Sequence, residues 1–292
     1  MIITETAFAK INLYLDVLGC RNDGFHDIFS LMHSVSLSDD VTVGAEPAQN
    51  IEISLTTNVP SLPVDESNLA YRAVKSYLSY FNIKAKINLT IEKNIPIGAG
   101  LGGDSSDAAA ALRAMNRLFG KADRDQLLSI ASDLGSDVPF CLVGGLAACT
   151  GRGERILSLP QAEPMSFVVA IGESRISTPK AYAALDLLYD KFKASDKAEH
   201  YSDSRVAEMV SCGNLDLPSY NIFEQVVNSR EIDEIKEIMK KNGAELTLMS
   251  GSGPSVFGRF AEASEATDAC NALIGKGYTA FVCHSVYPEV NV

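Results

Sequence analysis

Four glycines fall within six residues at Gly98-Ala99-Gly100-Leu101-Gly102-Gly103. No regular element is built from such a run, because glycine loses more backbone freedom on ordering than any other residue. The flanks are regular. Ala85, Ile87, Leu89 and Ile91 alternate with Lys86, Asn88, Thr90 and Glu92, which predicts a strand. After the run comes DAAAALRAMNRLF, a strong helix former. Strand, glycine loop and helix together hold phosphate: backbone N–H groups converge on the anion and the helix start adds partial positive charge. Ser105 and Ser106 are placed to donate hydroxyl hydrogen bonds to phosphate, or one of them to ligate Mg²⁺.

Two familiar phosphate loops do not fit. A G-x-x-x-x-G-K-[ST] loop is excluded, because no Lys follows Gly103. Gly98, Gly100 and Gly103 have the G-x-G-x-x-G spacing, but the preceding strand is half polar, unlike a buried parallel strand. A nicotinamide-dependent oxidoreductase would rest on that spacing alone. With 25 Lys and Arg against 37 Asp and Glu, the formal net charge is −12. That balance argues against a nucleic-acid partner, yet a locally positive pocket can still take a polyanionic small molecule. The longest clean apolar runs are about five residues, such as Phe167 to Ile171, against the roughly 20 that span a bilayer, so no membrane partner is expected. The start MIITETAFAK has neither a basic region nor an apolar core and does not read as a signal peptide. The six cysteines form no C-x-x-C pair and read as small buried hydrophobes in a reducing, cytoplasmic setting.

At roughly 150 residues per domain, 292 residues suggest two domains. Strands are expected over the alternating stretch Ile11 to Val17, at Asn50 to Leu55, at Leu146 to Thr150 and at Arg155 to Leu159. Ser67 to Tyr80 reads as a helix with Ser67 as its N-cap, and Asp125 to Leu134 as another ending near Gly135. Pro160 to Pro164 reads as a boundary, giving domains 1–160 and 161–292, with the last strand free to return to the first domain. Beyond it the order is strand (Phe167 to Ile171), helix from Thr178, a helical stretch to about Lys241, strand (Leu246 to Ser250), strand (Ser255 to Phe260), helix (Ser264 to Ile274) and strand (Tyr278 to His284). That split alternation suggests a ferredoxin-like α+β sandwich. The charged stretch Asp190 to Ser204 carries no evident chemistry, and His33, His200 and His284 read as structural.

Pro96 to Ser106 resembles the second motif of the GHMP kinases (galactokinase, homoserine, mevalonate and phosphomevalonate kinases). The third, glycine-rich motif of that family resembles Met249-Ser250-Gly251-Ser252-Gly253-Pro254-Ser255-Val256-Phe257, and the first resembles Ala9-Lys10-Ile11-Asn12-Leu13-Tyr14-Leu15. Three motifs in order cover the whole chain. Arg21-Asn22-Asp23-Gly24-Phe25-His26 and Leu134-Gly135-Ser136-Asp137-Val138-Pro139-Phe140 narrow the likeness to the branch acting on a cytidine diphosphate sugar-alcohol. The implied fold is α+β, with a ribosomal-protein-S5-domain-2-like N-terminal α/β domain and a ferredoxin-like C-terminal one. The implied activity is ATP-dependent, Mg²⁺-assisted phosphorylation of an alcohol.

The resemblance also implies residue roles. Asp137 matches the catalytic carboxylate, and Lys10 would pair with it and stabilise the transferring phosphoryl group. Asn12, on the same strand face as Lys10, would contact the sugar-alcohol. Phe25 and His26 match the cytosine-recognition turn, with Tyr182 as the opposing aromatic, so that Phe25 and Tyr182 sandwich the base. Phe25 stands where many relatives carry Tyr; stacking survives and a hydroxyl contact is lost. Thr178 either caps its helix or touches the cytidine. Asn68 and Lys93 match nucleotide contacts, although Lys93 reads equally well as a solvated strand-end lysine. Pro96, Gly98, Gly100, Leu101, Gly102, Gly103, Asp104, Ser105 and Ser106 form the phosphate loop, and Gly251, Ser252 and Gly253 the turn packed against it. Asp104 stands where close relatives carry Gly. The alternatives are a homoserine or mevalonate type of kinase and a catalytically silent nucleotide-binding member. Oligomeric state and metal ligands stay open.

Overall fold

The computed structural model describes residues 1–189 and 219–288, organised around two sheets. The first is a seven-stranded sheet built on a ribbon of β1 (Ile2–Cys20) and β2 (His26–Pro47), paired antiparallel along their length. β4 (Ala85–Glu92) pairs with β2, and β3 (Glu52–Thr57) lies parallel to β4. β5 (Leu146–Thr150) pairs with β2 and with β6 (Arg155–Ser158). α1 (Leu69–Tyr80), α2 (Gly103–Phe119), α3 (Arg124–Leu134) and α4 (Val138–Val143) share one core with the sheet, in which Val74, Tyr77, Leu112 and Met115 meet Val43, Ile87 and Leu89.

β4 spans the expected residues and alternates buried with exposed throughout. β1 does not: Ile11 and Asn12, neighbours on opposite faces, are both buried. β1 is enclosed on both faces. Ala7 joins the helix-side core, Ala9 and Ile11 pack with Phe167 and Phe257, and Leu15 and Val17 join the core of the second half.

The second sheet contains β7 (Ser166–Ile171), β9 (Leu246–Met249), β10 (Val256–Phe260) and β11 (Thr279–His284) in the order β11-β7-β10-β9, every pair antiparallel. With α5 (Thr178–Tyr189) and α6 (Arg230–Lys241) between β7 and β9, and α7 (Ala263–Ile274) between β10 and β11, this is the ferredoxin-like arrangement. Pro160 to Pro164 lies in the connection between the two sheets. β8 (Tyr220–Asn221) crosses back and pairs parallel to β1 at Tyr14 and Leu15. The last strand, β11, stays with β7, while the chain just beyond it returns to β2: Ser285 bridges to Val35 and Val286 N donates to Ser34 O at 3.1 Å.

Several local expectations change. The N-cap of α1 is Asn68, not Ser67: Asn68 Oδ1 accepts from the N–H groups of Ala70 and Tyr71, while Ser67 bonds to Asp65. α2 begins at Gly103, inside the glycine run and ahead of the alanine-rich stretch. α3 is set by a capping box between Asp123 and Gln126. α4 was not anticipated; Pro139 occupies its first turn, where a missing N–H costs nothing. The five described cysteines are free, and all but Cys20 lie away from full exposure. The stretch Asp190 to Ser204, with His200, and also Cys212, lies outside the described residues.

Candidate active site

The register of β1 against β2 shifts between Phe8 and Lys10 and again between Asn12 and Tyr14. Such irregularities re-aim side chains, and here they bracket Lys10-Ile11-Asn12. Lys10 Nζ donates to Asn12 Oδ1 at 2.8 Å and lies 3.3 Å from Asp137 Oδ2. Asn12 is held in turn: its Nδ2 donates to Ser30 Oγ at 2.8 Å, and its Oδ1 also accepts from Gly251 N at 2.9 Å. One buried amide therefore joins the N-terminal strand to the C-terminal glycine turn.

Asp137 stands at the N-cap of α4 but does not cap it. Its backbone is already helical (φ −86°, ψ −14°) and its side chain makes no cap hydrogen bond. The carboxylate is 30% exposed and faces the cavity, with Lys10 as its ion-pair partner. A helix-start aspartate that leaves its helix uncapped is available for chemistry.

The glycine loop closes over these groups. Gly98, Gly100 and Gly102 have φ of 67°, 79° and 69°, a region that L side chains rarely adopt. Lys10 N donates to Leu101 O at 2.9 Å, Ser250 Oγ to Gly100 O at 3.1 Å, and Ser255 N to Ala99 O at 3.2 Å. A Cβ on Gly100 would lie 2.5 Å from Ser250 O. The two glycine turns thus touch backbone to backbone, and glycine is what permits it.

Two hollows meet at this loop. The smaller, about 150 Å³, is lined by residues 96–105, so Pro96, Gly98, Leu101, Gly103 and Asp104 all border it. The larger, about 630 Å³, shares Gly100, Gly102 and Ser105 with it and adds Lys10, Asn12, Asp137, Gly251 and Ser252. Phe25, His26, Thr178 and Tyr182 also line it. Asp104 is exposed in the first turn of α2, where the helix dipole favours a carboxylate.

Four expected ligand contacts are engaged elsewhere in the fold. Ser106 is buried, and its hydroxyl donates to Phe8 O at 2.6 Å. Asn68 caps α1 and borders neither hollow. Gly253 lies outside the cavity wall, with Met249 Sδ 2.6 Å from where its Cβ would be. Lys93 is buried rather than solvated: Nζ sits 2.5 Å from Asp39 Oδ2 and 2.9 Å from Asp107 Oδ2, beneath the backbone of Gly103. Burial pushes the Asp107 carboxyl up to about 8, against the pull of Lys93. Asp39 accepts further hydrogen bonds from the N–H groups of Asn94 and Ile95. For Lys93, burial acts to lower the pKa, but the two carboxylates outweigh it and the value is raised.

At the aromatic end Phe25 and Tyr182 both line the cavity, and each has a neighbour of its own. Tyr182 stacks on His26, with ring centroids 4.6 Å apart, and Phe25 instead has the Arg152 guanidinium 4.9 Å from its ring centre. The reason lies on α5. Asp186, one turn beyond Tyr182, bonds His26 Nε2 at 2.7 Å and draws the imidazole onto the tyrosine. Thr178 does not act as a simple helix cap: its hydroxyl is 2.7 Å from Ser252 Oγ, tying α5 to the third motif. Burial first, and then the Asp137 charge, push the Tyr182 phenol up to about 12.

Sequence reasoning missed Asp186, Arg152 and Ser136, which line the same cavity. Asp186 carried a usable signal, four residues after Tyr182 on one helix face. Arg152 carried another, in the turn Gly151-Arg152-Gly153-Glu154.

Comparison with known proteins gives the family. The GHMP kinases N terminal domain matches residues 68–145, and the GHMP kinases C terminal domain matches residues 215–279. The chain belongs to the GHMP kinase family. Among its relatives is the 4-diphosphocytidyl-2-C-methyl-D-erythritol kinase of Caldicellulosiruptor saccharolyticus, 39% identical over 91% of this chain and 91% of the relative. The 4-diphosphocytidyl-2-C-methyl-D-erythritol kinase of Macrococcus caseolyticus is 38% identical over 98% of both chains. A crystal structure of 4-(cytidine 5'-diphospho)-2C-methyl-D-erythritol kinase superposes with a TM-score of 0.74 at 33% identity, covering 97% of this chain and 99% of that one. A Cytophaga hutchinsonii homoserine kinase, with a TM-score of 0.69 at 19% identity and coverage of 97% and 95%, shares the fold.

Proposed function

We propose that this chain transfers the γ-phosphoryl group of ATP to the 2-hydroxyl of 4-diphosphocytidyl-2-C-methyl-D-erythritol, in the non-mevalonate route to isoprenoid precursors. The observation that carries the reading is the placement of the Lys10–Asp137 pair where the two hollows meet, with the glycine loop on one side and the Phe25, His26 and Tyr182 end on the other. A nucleotide's phosphates in the smaller hollow and a cytidine diphosphate ester in the larger would bring donor and acceptor together at that pair.

In this reading Asp137 accepts the proton of the acceptor hydroxyl as its oxygen attacks phosphorus. Lys10, fixed by Asn12, offsets charge on the phosphoryl oxygens. The N–H groups of the glycine loop and the start of α2 hold the phosphates of ATP. No group of three His, Cys, Asp or Glu side chains able to cage a metal exists among the described residues. Ser105 borders the phosphate hollow, so the site fits a Mg²⁺ that arrives on the nucleotide, with this hydroxyl as an oxygen donor. Such an ion would neutralise phosphate charge. No helix among the described residues is long and apolar enough to cross a membrane. The reading carries a cytoplasmic location and small-molecule partners only.

The test is ADP release from Mg·ATP with the purified chain, offered the cytidine diphosphate substrate, mevalonate and homoserine in turn. Turnover confined to the first is the expected result. Turnover with mevalonate or homoserine instead, or with none of the three, would overturn the reading.

A further inference from the structure

His26 has two nitrogens, and the structure accounts for one. Nε2 lies 2.7 Å from Asp186 Oδ1. A carboxylate only accepts hydrogen bonds, so Nε2 must carry the proton. Nδ1 makes no hydrogen bond among the described residues, and His26 is part of the cavity wall. The ring is also fixed in plane, because Tyr182 stacks on it with an interplanar angle of 27°. Both constraints come from one helix: Tyr182 and Asp186 are one turn apart on α5, side by side on one face. The imidazole side chain is 9% exposed, while the Asp186 carboxylate is 48% exposed. The aspartate is therefore the solvent-side post against which a buried ring is set. Arg152, Asp137 and Asp186 are the other charged side chains at this part of the wall, and Lys10 is already paired with Asp137.

We propose that Asp186 is a positioning residue that fixes His26 as the Nε2–H tautomer, so that Nδ1 offers a lone pair to the ligand and selects a cytosine over a uracil. Cytosine carries an exocyclic amino group that donates; uracil has at the same place a carbonyl that only accepts. An acceptor nitrogen held rigidly facing that position accepts from the first and repels the second. A site built around one hydrogen bond rejects the analogue that cannot make it far better than an apolar slot could. Without Asp186 the imidazole could present either nitrogen protonated, and the discrimination would weaken while the stacking surface remained. The inference rests on the cytidine reading above, and it adds the residue that makes the reading selective.

The experiment compares the full chain with Asp186→Asn and Asp186→Glu. Calorimetric titration with CDP and with UDP measures the preference without requiring turnover. The wild type is expected to favour CDP by at least tenfold. In Asp186→Asn the preference should fall by about tenfold, because an amide can present its N–H₂ to Nε2 and turn Nδ1 into a donor. Asp186→Glu should restore most of it. In turnover the Asn variant should raise KM for the cytidine diphosphate substrate while leaving kcat and KM for ATP within about twofold. Nitrogen-15 NMR of the histidines supplies a readout that a merely structural role would not move: a single Nε2–H tautomer for His26 in the wild type, and an averaged signal in Asp186→Asn. An unchanged CDP preference in Asp186→Asn, or an Nδ1–H tautomer in the wild type, would overturn the proposal. Selective CDP binding with no turnover of any alcohol would overturn the kinase reading alone and leave the role of Asp186 standing.

Discussion

Lys10 Nζ and Asp137 Oδ2 are 3.3 Å apart, a looser contact than the 2.8 Å bond from the same ammonium to Asn12 Oδ1. The ammonium is thus positioned by the amide and only accompanied by the carboxylate. Asp137 can turn to a hydroxyl without releasing Lys10. Asp137→Asn should cut kcat by about 10² to 10⁴ with KM for ATP little changed. Lys10→Met, which keeps the volume of the stem, should cut kcat by about 10² to 10³. The double variant should fall well short of the product of the two, since the residues act as a unit. Steady-state kinetics on three variants of verified fold check this; a Lys10→Met enzyme with near-normal kcat would refute the stabilising role.

Gly98 and Gly100 separate backbone strain from contact between the two glycine turns. Both have positive φ, so an alanine at either carries a cost of about 1–2 kcal/mol. A Cβ at Gly98 meets nothing within 4 Å, whereas at Gly100 it would lie 2.5 Å from Ser250 O and 3.0 Å from Gly253 O. Gly98→Ala should lower Tm by a few degrees and keep most activity. Gly100→Ala should push the third motif away, dropping activity by at least tenfold with a larger loss of Tm. Equal effects at the two positions would mean that strain alone matters.

Asp104 brings a carboxylate to the wall of the phosphate hollow, in the first turn of α2. Repulsion of an exposed charge near phosphate is worth about 1 kcal/mol, and the favourable dipole interaction about 0.3–1 kcal/mol. Asp104→Gly should therefore lower KM for ATP several-fold at low salt while making the protein slightly less stable. Raising the salt should shrink the difference in KM, because exposed charges are screened. A KM for ATP that rises in the variant would assign Asp104 to Mg²⁺ instead.

What the sequence disclosed was whatever is written locally. β4 reads from its alternation because it has one buried and one open face. The glycine loop reads from density alone. β1 misleads because both its faces are covered, so its polar residues Asn12 and Asp16 are as buried as its apolar ones. α4 was missed because Asp137-Val138-Pro139 looks like a turn until the proline is seen as a first-turn residue. Asp137 needed a family string to be noticed, since its partner Lys10 is distant in sequence. At Lys93 and Asn68 motif position points to a ligand, whereas within the fold the first is paired with Asp39 and Asp107 and the second caps α1. Asp186 and Arg152 meet His26 and Phe25 only when α5 and the β5–β6 turn are folded onto the start of β2, so their local signals in the sequence name no partner.

Lys93 yields a test of that reassignment. Removing one member of a buried charged cluster leaves the others uncompensated and costs about 3–5 kcal/mol. Lys93→Met should therefore lower stability by that amount in urea titration. At a temperature where the variant is fully folded, its KM for ATP should change less than tenfold. A stable variant with a large KM defect would restore Lys93 as a direct nucleotide contact.

His33 lowers the stability of the fold as pH falls. The ring is fully buried, neither nitrogen has a hydrogen-bond partner, and Tyr287 and Phe167 meet it edge-on at 5.1 and 6.4 Å. Burial holds its pKa down at about 4, against 6.5 for an ordinary histidine. The folded state therefore disfavours the proton that the unfolded chain takes up below about 6.5. Between about pH 6.5 and about 4 the unfolded state binds more protons, so stability falls as pH falls across that window. The gap corresponds to about 3 kcal/mol once both states are protonated. His33→Phe should remove this slope. Because carboxylates such as Asp107 titrate in both proteins, the quantity to measure is the difference in unfolding free energy between wild type and variant from pH 7.5 to pH 4.5. That difference should move steadily in favour of the variant as pH drops. A constant difference would mean that His33 takes up its proton alike in the folded and unfolded states, as it would if the ring opened to water near its contact with Tyr287.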